Sequence, residues 1–387
     1  MNKKDKYFND FYKNKRNDIS FISVKKGALI KFKDKVYKAA KELPIPIRVQ
    51  RLLGDIEKQD EMDGISLNNI IDGIIYVIGT DINFRFLNEY KNILKTLDFN
   101  LKPYIIYCIN KFEENEYENA VIYGRALVNL EENEKSCFVY ASALEERGLQ
   151  MNSKSKGLES QYFLEEANKY YEKCLDYDYK FALAYYKLGF YYKKSQQYVK
   201  ANITWNTHQE LDDDALRVDE IRNELIQLKP YVDFENGYNL VLKEKPKEGL
   251  DLLLPLTKEF GSWWNLLFFI GLAYRTLGSY DIAETYFENV LKLENEQKDA
   301  MNELGLCKLC RGKYVEAAEL FSDLLHIEPG NCEVFCNRAV SYMYNNQLDK
   351  AKEDIRTALK IKPDDLVALN IKEELGKSMN PMEHNKE

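Results

Sequence analysis

Four cysteines in the C-terminal third of the chain have a spacing that could bind a metal ion. Cys307-x-x-Cys310 is followed by Cys332-x-x-x-Cys336. Two pairs of thiolates at such spacings are typical of structural zinc sites, in which four sulfur ligands surround the ion tetrahedrally. Whether the two pairs can share one ion depends on the elements that carry them, so the zinc hypothesis has to be judged against the fold.

Catalytic chemistry has little support in the sequence. The three histidines, His208, His326 and His384, are far apart in the chain, and their spacing gives no Ser–His–Asp or Cys–His set. A phosphate-binding loop of the Gly-x-x-x-x-Gly-Lys type is absent from the sequence. We therefore expect a protein that is not an enzyme and that needs no cofactor.

The charge is distributed unevenly along the chain. The net charge is -8, but residues 1–51 contain 15 Lys and Arg against 5 Asp and Glu, so the remainder is acidic. An acidic body disfavours nucleic-acid binding except through residues 1–51, which could contact nucleic acid, an anionic surface or an acidic partner. The most apolar run, Trp263–Tyr274, is too short to span a bilayer, and no signal-peptide core follows the charged start. We expect a cytoplasmic protein without a membrane span.

The hydrophobic pattern repeats every 34 residues. In residues 298–331, the small residues Gly305 and Ala317 occupy the eighth and twentieth positions, where two helices can approach closely. Gly312, at the fifteenth, suits the left-handed turn that ends a first helix, and Pro329 stops the second helix. Seven units can be drawn in this phase, namely 101–134, 135–181, 182–215, 230–263, 264–297, 298–331 and 332–365.

This pattern resembles the tetratricopeptide repeat family. The resemblance implies an all-α fold, a right-handed α-solenoid of about seven helix pairs with a concave surface. The array would span residues 101–365, with a polar insert near 149–158. An extra helical segment at 216–229 is interpreted as a lengthened second helix of the third unit. Residues 366–376 are predicted to form a capping helix and 377–387 a disordered tail.

The repeat phase argues against the zinc site. Cys307 and Cys310 fall at the tenth and thirteenth positions of one first helix, and Cys332 and Cys336 at the first and fifth of the next. Because first helices run nearly parallel, the pairs are offset by about nine residues, or about 13 Å along the helix axis. Thiolates at about 2.3 Å from one ion do not cover that distance. We therefore predict core cysteines and no metal site.

The first hundred residues do not follow the repeat. Residues 47–100 are predicted to form a helical module, preceded by a break at 43–46. Its helices are predicted at 47–56, 67–78 and 84–97. Residues 1–46 are predicted to be a basic arm that is partly flexible or a small hairpin, although 18–41 could also begin a helix. The apolar helix at 67–78 is unlike the recognition helix of a DNA-binding protein and should be buried.

The resemblance also assigns candidate binding residues. In tetratricopeptide arrays, the second, fifth, ninth, twelfth and thirteenth positions of each first helix line the inner groove. Transferred by register, with one neighbouring asparagine added, the peptide-binding residues are predicted to be Tyr186, Phe190, Phe234, Tyr238, Asn265, Phe268, Leu272, Arg275, Asn302 and Asn337. Their aromatic and apolar side chains suit an amphipathic peptide, and their amides could bind an extended backbone.

Together these features predict a non-enzymatic scaffold that binds a protein or peptide segment in the groove of its repeats. Two alternatives stay open. One is a peptide-sensing cytoplasmic regulator, similar in layout to bacterial quorum-sensing proteins, and the other is a nucleic-acid-associated factor acting through residues 1–51. The frequent Lys, Asn, Ile and Tyr resemble the usage of an AT-rich bacterial genome. Part of the groove could instead pack inside a tight superhelix or against the N-terminal region.

Overall fold

The computed structural model describes residues 2–32, 35–49, 67–98, 100–112, 116–152 and 157–377. The chain divides into two compact units, residues 1–224 and 225–387. Apart from a hairpin near the N-terminus, the described residues are predominantly helical. This confirms the predicted all-α repeat fold.

The hairpin consists of four short strands in antiparallel pairs. The strands are β1 (Ile19–Val24), β2 (Leu29–Phe32), β3 (Lys35–Lys38) and β4 (Leu43–Arg48). β1 pairs with β4 and β2 pairs with β3, and both pairs follow one register. β1 and β2 therefore form one arm of the hairpin, and β3 and β4 form the other. The turn at Gly27, which has a φ of 87°, lies between β1 and β2 within the first arm. Strands at 19–32 agree with the hairpin alternative, but the predicted pairing around Lys26-Gly27 is wrong.

β4 corrects two further predictions. Residues 43–46 are a strand rather than a break, and Ile47 and Arg48 belong to this strand rather than to a helix; residues 50–56 lie outside the described part of the chain. Pro44 and Pro46 are two residues apart, so both lack an N–H on the same edge of the strand. The carbonyl of Pro44 accepts a hydrogen bond from Tyr90 at 2.6 Å, which places this edge against a helix instead of β1.

Two helices pack against the hairpin, α2 (Leu67–Thr80) and α3 (Leu87–Thr96). α2 is buried on nearly all sides, as its apolar sequence predicts. Gly73 permits the contact between α2 and β4, because a Cβ atom at this position would lie 2.0 Å from the carbonyl oxygen of Pro46. Arg48 of β4 and Asp72 of α2 form a buried ion pair at 3.7 Å in this contact.

The repeat helices of the first unit follow in sequence, each packing on the next. They are α4 (Leu101–Lys111), α5 (Tyr117–Leu130), α6 (Glu134–Asn152), α7 (Gly157–Tyr177), α8 (Ala182–Lys194) and α9 (Tyr198–Leu211). The polar insert predicted near 149–158 falls between α6 and α7, and residues 153–156 of it lie outside the described part. The notably long helices α6 and α7 therefore account for the stretched second unit.

The N-terminal helix α1 (Lys3–Lys15) is docked onto these repeats. Phe8 packs edge-on against Phe163 of α7, with ring centroids 5.2 Å apart. Tyr12 is buried, its hydroxyl is hydrogen-bonded to that of Tyr140, and Arg125 lies 3.8 Å over its ring. The aromatic side chains of the basic segment thus anchor it to the first unit.

The helix α10 (Ala215–Leu242) corrects the interpretation of residues 216–229. α9 ends at Leu211, and the carboxylate of Asp214 accepts hydrogen bonds from the backbone amides of Leu216 and Arg217, as an N-cap does. The segment therefore lengthens the first helix of the fourth repeat, not the second helix of the third. Pro230 lies inside this helix without ending it.

The second unit continues with helix pairs of nearly uniform length. They are α11 (Pro246–Phe260), α12 (Trp264–Thr276), α13 (Tyr280–Leu293), α14 (Lys298–Cys310), α15 (Tyr314–Ile327), α16 (Cys332–Tyr344), α17 (Leu348–Ile361) and α18 (Leu366–Lys377). α18 packs against α16 and α17, in the place predicted for a capping helix. The predicted tail beyond residue 377 lies outside the described residues.

The backbone confirms the phase of the repeat. The fifteenth position of five successive units has a positive φ, between 58° and 76°. These residues are Gln196, Glu244, Gly278, Gly312 and Asn346. The alanines at the twentieth position are buried in the contact between the two helices of a pair, as the register requires. The same turn therefore ends the first helix of each of these units.

Candidate peptide-binding surface

The ten predicted binding residues lie in both units, and each set is best considered by itself. Tyr186 and Phe190 belong to α8 of the first unit. The other eight belong to α10, α12, α14 and α16 of the second unit. In both units, the side chains come from the first helices of the repeats.

In the first unit, Tyr186 and Phe190 form part of an aromatic stack. The ring of Phe190 packs edge-on against the buried Trp205 at 4.9 Å, and Tyr186 packs edge-on against Phe190 at 5.2 Å. The hydroxyl of Tyr186 donates a hydrogen bond to Glu220 at 2.9 Å. Burial and this hydrogen bond raise the pKa of Tyr186 to about 12, so its hydroxyl remains a donor at neutral pH. Phe190 also lines a cavity of ≈ 450 Å³.

Two of the predicted residues in the second unit serve mainly to build an aromatic cluster. Phe234 is only 8% exposed, and its ring packs against Tyr238 at 5.3 Å and Trp263 at 5.9 Å. Tyr238 stacks on Phe269 at 5.0 Å. These contacts hold α10 against α12. Phe234 therefore offers little surface to a ligand, whereas Tyr238 is only partly buried.

Two polar contacts on α12, α14 and α16 join neighbouring repeats. The Nδ2 of Asn337 donates a hydrogen bond to the Oδ1 of Asn302 at 3.1 Å. Arg275 forms an ion pair with Glu303, whose pKa is nevertheless raised because the carboxylate is buried. The Oδ1 of Asn265 accepts from the amide of Leu266, so this side chain is turned toward its own helix.

Phe268 and Leu272 form the apolar part of the surface on α12. Both are partly buried and pack on the cluster around Phe287 and Leu304. The ring centroid of Phe268 lies 5.7 Å from that of Phe287. Each side chain keeps some accessible area, which a ligand could cover.

A cavity beside Asn302 is lined by residues that are not among the ten predicted binding residues. Trp264, 36% exposed, lines it together with Asp299 and Glu333, and its volume is ≈ 570 Å³. Asp299 and Glu333 occupy the second position of their helices, which is one of the groove positions of the repeat. The register that selected Asn302 therefore also predicts these two residues in the groove. Trp264 is the first residue of α12, where the register does not predict a groove residue.

The edge of this cavity is negatively charged. Its lining contains the carboxylates Glu296, Asp299, Glu328 and Glu333 and one lysine, Lys298. Lys298 is already paired with Glu328 at 2.8 Å. The remaining carboxylates therefore give the cavity a net negative potential, which favours a ligand with positive charge.

The four-cysteine zinc hypothesis has no support in the described part of the chain. Cys307 is buried, which raises the pKa of its thiol to about 12, whereas Cys310 is exposed. Among the described residues, neither of them lies in a group of three or more metal-ligating side chains. Cys332 and Cys336 do lie in such a group, but their third member is Asp365.

Comparison with known families supports the repeat phase seen in the backbone. A family model of the tetratricopeptide repeat matches residues 270–331, and a second one matches residues 332–365. The second match has the same bounds as the seventh unit drawn from the sequence. Residues 270–365 are tetratricopeptide repeats. Repeats of this kind form helical scaffolds for protein–protein interaction.

Similar solved structures also contain tetratricopeptide repeats. The TPR protein YrrB, described as having an unusual peptide-binding site, is 22% identical, with a TM-score of 0.38 over 52% of this chain and 97% of that chain. A MamA fragment from Desulfovibrio magneticus RS-1 is 19% identical, with a TM-score of 0.35 over 40% and 97% of the two chains. Within the described residues, none of the helices combines the length and apolarity of a bilayer-spanning segment.

Proposed function

We propose that the protein binds an extended, positively charged segment of a partner protein on the surface formed by α12, α14 and α16. The observation that carries this proposal is the pair of amides of Asn302 and Asn337 beside an acidic cavity with an accessible indole. The hydrogen bond between the two amides uses one donor and one acceptor. The Nδ2 of Asn302 can then donate to one C=O of a peptide backbone, and the Oδ1 of Asn337 can accept from one N–H.

The surroundings of the amide pair supply the rest of a peptide site. Trp264 offers an aromatic face to an apolar or cationic side chain, and Asp299 and Glu333 offer carboxylates to Lys or Arg. Phe268 and Leu272 extend the apolar surface along α12. A segment bound in this way would be recognised by its backbone, by one large side chain and by its positive charge.

The basic N-terminal segment gives weaker support for nucleic-acid binding. Lys4 lies 3.3 Å from Glu166, and Lys15 pairs with Glu118 at 2.5 Å. These two cations of α1 are therefore partly neutralised by the first unit. The contacts favour an interaction function that resides in the repeats.

The proposal can be tested by selecting peptides from a displayed random library on the full-length chain. Selected peptides are expected to be rich in Lys or Arg, and their affinity should fall with added salt because the cavity is acidic. The Asn302→Ala/Asn337→Ala double variant should weaken their binding by roughly tenfold or more, since two hydrogen bonds of about 0.5–1.5 kcal/mol each are lost. Removing both partners leaves no unpaired amide in the fold, so stability should change little.

The matched control is Asn289→Ala on α13, where the amide accepts a hydrogen bond from Lys292. It makes the same chemical change in the same unit, away from the proposed surface, and should bind the selected peptides like the unaltered chain. Equal binding by the double variant and the control would contradict the proposal. Full-length chains are preferable to a truncation at residue 100, because removal of α1 would expose the aromatic residues that it covers.

A further inference from the structure

Two cysteines and an aspartate come together where the last repeat meets the final helix. Cys332 and Cys336 lie one turn apart on α16, and Asp365 directly precedes α18. Their two sulfur atoms and a carboxylate oxygen all lie within 4.8 Å of one another. This group does not involve the proposed peptide-binding residues, so its function can be considered independently of that proposal.

We propose that Cys332, Cys336 and Asp365 bind a thiophilic divalent metal ion, with Zn²⁺ as the representative ion and water as its fourth ligand. Two thiolates and a carboxylate are ligand types that Zn²⁺ accepts, and three protein ligands with an open position make a chemically complete tetrahedral site. Mg²⁺ and Ca²⁺ are disfavoured because they prefer sites made only of oxygen ligands.

The distances require only a small rearrangement. Tetrahedral Zn²⁺ with Zn–S bonds of about 2.3 Å places two sulfur ligands about 3.7 Å apart. The present separations of up to 4.8 Å exceed this by about 1 Å, which rotation of the side chains can supply. The sulfur of Cys332 now lies 3.6 Å from the carbonyl oxygen of Ala358 and would turn away from it on binding.

The carboxylate of Asp365 is oriented by the start of α18. Its Oδ1 accepts hydrogen bonds from the backbone amides of Val367 and Ala368, both at 3.1 Å. Its Oδ2 accepts a hydrogen bond from the exposed Lys362 at 2.9 Å. A metal ion could replace this lysine as the cationic partner of Oδ2, while Oδ1 keeps capping the helix.

The packing around the group separates a closed side from an open one. Cys336 is 2% exposed and belongs to the apolar cluster that joins α16, α17 and α18 through Ala339, Ile355 and Ile371. Cys332 and Asp365 are only partly buried. The ion would therefore be enclosed by the repeat on one side and would bind its water on the other.

The consequence for the fold is a metal-dependent clamp. The ligands come from α16 and from Asp365, which directly precedes α18, so binding would connect the final helix to the last repeat. Because an ion bound only by the folded chain stabilises it, Zn²⁺ should raise the thermal midpoint and slow hydrogen exchange in α18. Coordination by two thiolates would also release protons to the buffer.

The test is titration of the reduced full-length chain with Co²⁺ alone, followed by competition with Zn²⁺. The chain should carry Cys310→Ser, because this exposed thiol could bind the probe outside the site. We expect one equivalent of Co²⁺, a sulfur-to-metal charge-transfer band in the near ultraviolet and intense visible bands typical of tetrahedral Co²⁺. Displacement by Zn²⁺ should remove these bands.

Single substitutions then identify the ligands. Cys336→Ala should abolish the charge-transfer band, and Cys174→Ala, which removes a buried thiol from the first unit, should leave it unchanged. Asp365→Asn retains an N-cap side chain, so α18 should still form, but the affinity should fall roughly tenfold or more with the lost ligand. Asp365→Asn therefore remains informative even if Cys336→Ala destabilises the core.

Three results would overturn the proposal. The first is no charge-transfer band in the reduced chain. The second is equal binding by the unaltered chain, Cys336→Ala and Asp365→Asn. The third is a bound ion that leaves the hydrogen exchange of α18 unchanged, which would remove the proposed clamp.

Discussion

The substitution Glu284→Gln tests the charge network that joins two repeats of the second unit. Glu284, on α13, is 5% exposed and accepts hydrogen bonds from Lys308 and Lys313, both at 2.8 Å, and from Arg311. Burial alone would raise the pKa of Glu284, but these three cations lower it from 4.5 to about 2. Glutamine keeps the size of the side chain and removes its charge. The substitution should therefore destabilise the contact of α13 with α14 and the following turn.

The expected loss follows from what remains after the substitution. Breaking a fully buried ion pair costs about 3–5 kcal/mol, mainly because one charge is left unpaired. Here Lys308 keeps Glu316 at 2.7 Å, and Lys313 and Arg311 are partly exposed to water. The loss should therefore be smaller, about 2–3 kcal/mol, similar to one or two charge-assisted hydrogen bonds. For a folded unit of this size, this lowers the thermal midpoint by about 4–12 °C.

Thermal unfolding and hydrogen exchange of the full-length chain provide the assay. Glu284→Gln should lower the midpoint and speed exchange in α13 and α14. The matched control is Glu288→Gln, one turn along the same helix, where the side chain is 46% exposed and 3.8 Å from Lys308. It should change stability by less than about 0.5 kcal/mol, as exposed pairs do. Equal effects of the two substitutions would refute the reasoning.

The pH dependence gives a second check with a defined sign. Because folding lowers the pKa of Glu284, its contribution is complete above about pH 4.5 and is lost as the pH falls toward about 2. The stability difference between Glu284→Gln and the unaltered chain should therefore be constant near neutral pH and decrease below about pH 4.5. A difference that grows in acid would contradict the assigned network.

Three further substitutions test the repeat phase. Ala317→Asp should destabilise the fold by about 3–5 kcal/mol, because it places an unpaired charge where no side-chain surface is exposed; an unchanged melting temperature would show that the register is wrong. Gly189→Ala should cost about 1–3 kcal/mol and alter the fluorescence of Trp205, since the added Cβ would lie 2.1 Å from its Nε1; an unaltered emission spectrum would contradict this contact. Glu244→Gly should increase the free energy of unfolding by about 0.5–1 kcal/mol and so raise the urea midpoint, because Glu244 has a φ of 60° that glycine adopts without strain. A lower midpoint would mean that the side chain of Glu244 contributes more to stability than the backbone strain costs.

The repeat could be predicted from the sequence because each unit repeats the same physical requirements. Ala317 and Gly312 alone would be weak evidence, but equivalents recur in other units, and the backbone shows the same left-handed turn in five successive units. The turns at Gln196 and Glu244 show the strength of this constraint, since neither residue favours a positive φ. Packing of the second helix on the first imposes the turn even where the local sequence opposes it.

The candidate surface could be predicted less completely. The register states which side of a helix a residue occupies, but not how neighbouring side chains cover it. Phe234 and Asn302 have equivalent positions, yet Phe234 is buried by Trp263 and Phe269, while Asn302 stays accessible beside Asn337. Large aromatic neighbours thus decide accessibility, and their conformations follow from packing across several helices. Trp264 was missed for a different reason, because it is the first residue of α12, a position where the register predicts no groove residue.

Strand pairing in the N-terminal hairpin could not be predicted from the sequence pattern, because β1 and β4 are far apart in the chain and are not joined by the turn at Lys26-Gly27. The turn residues Lys26-Gly27 suggest a hairpin that joins 19–24 with 29–32, but β1 pairs instead with β4. β4 buries Leu43, Ile45 and Ile47 against α2, and this burial outweighs the local turn preference. The two prolines of β4 are compatible with the sheet only because their shared edge faces a helix.

Helix α10 shows how local signals compete when a repeat degenerates. Pro230, at the start of the fourth unit, is a residue type that favours the first position of a helix. The stronger signal is Asp214, whose carboxylate accepts hydrogen bonds from two backbone amides, so the helix already begins at Ala215. A proline removes one intrahelical hydrogen bond and strains the preceding turn, at a cost of about 3 kcal/mol. Leu228 lies just before Pro230, and Ile221 lies two turns earlier on the same helix; both side chains are buried. Their burial contributes a packing energy of similar size, so the helix continues through Pro230.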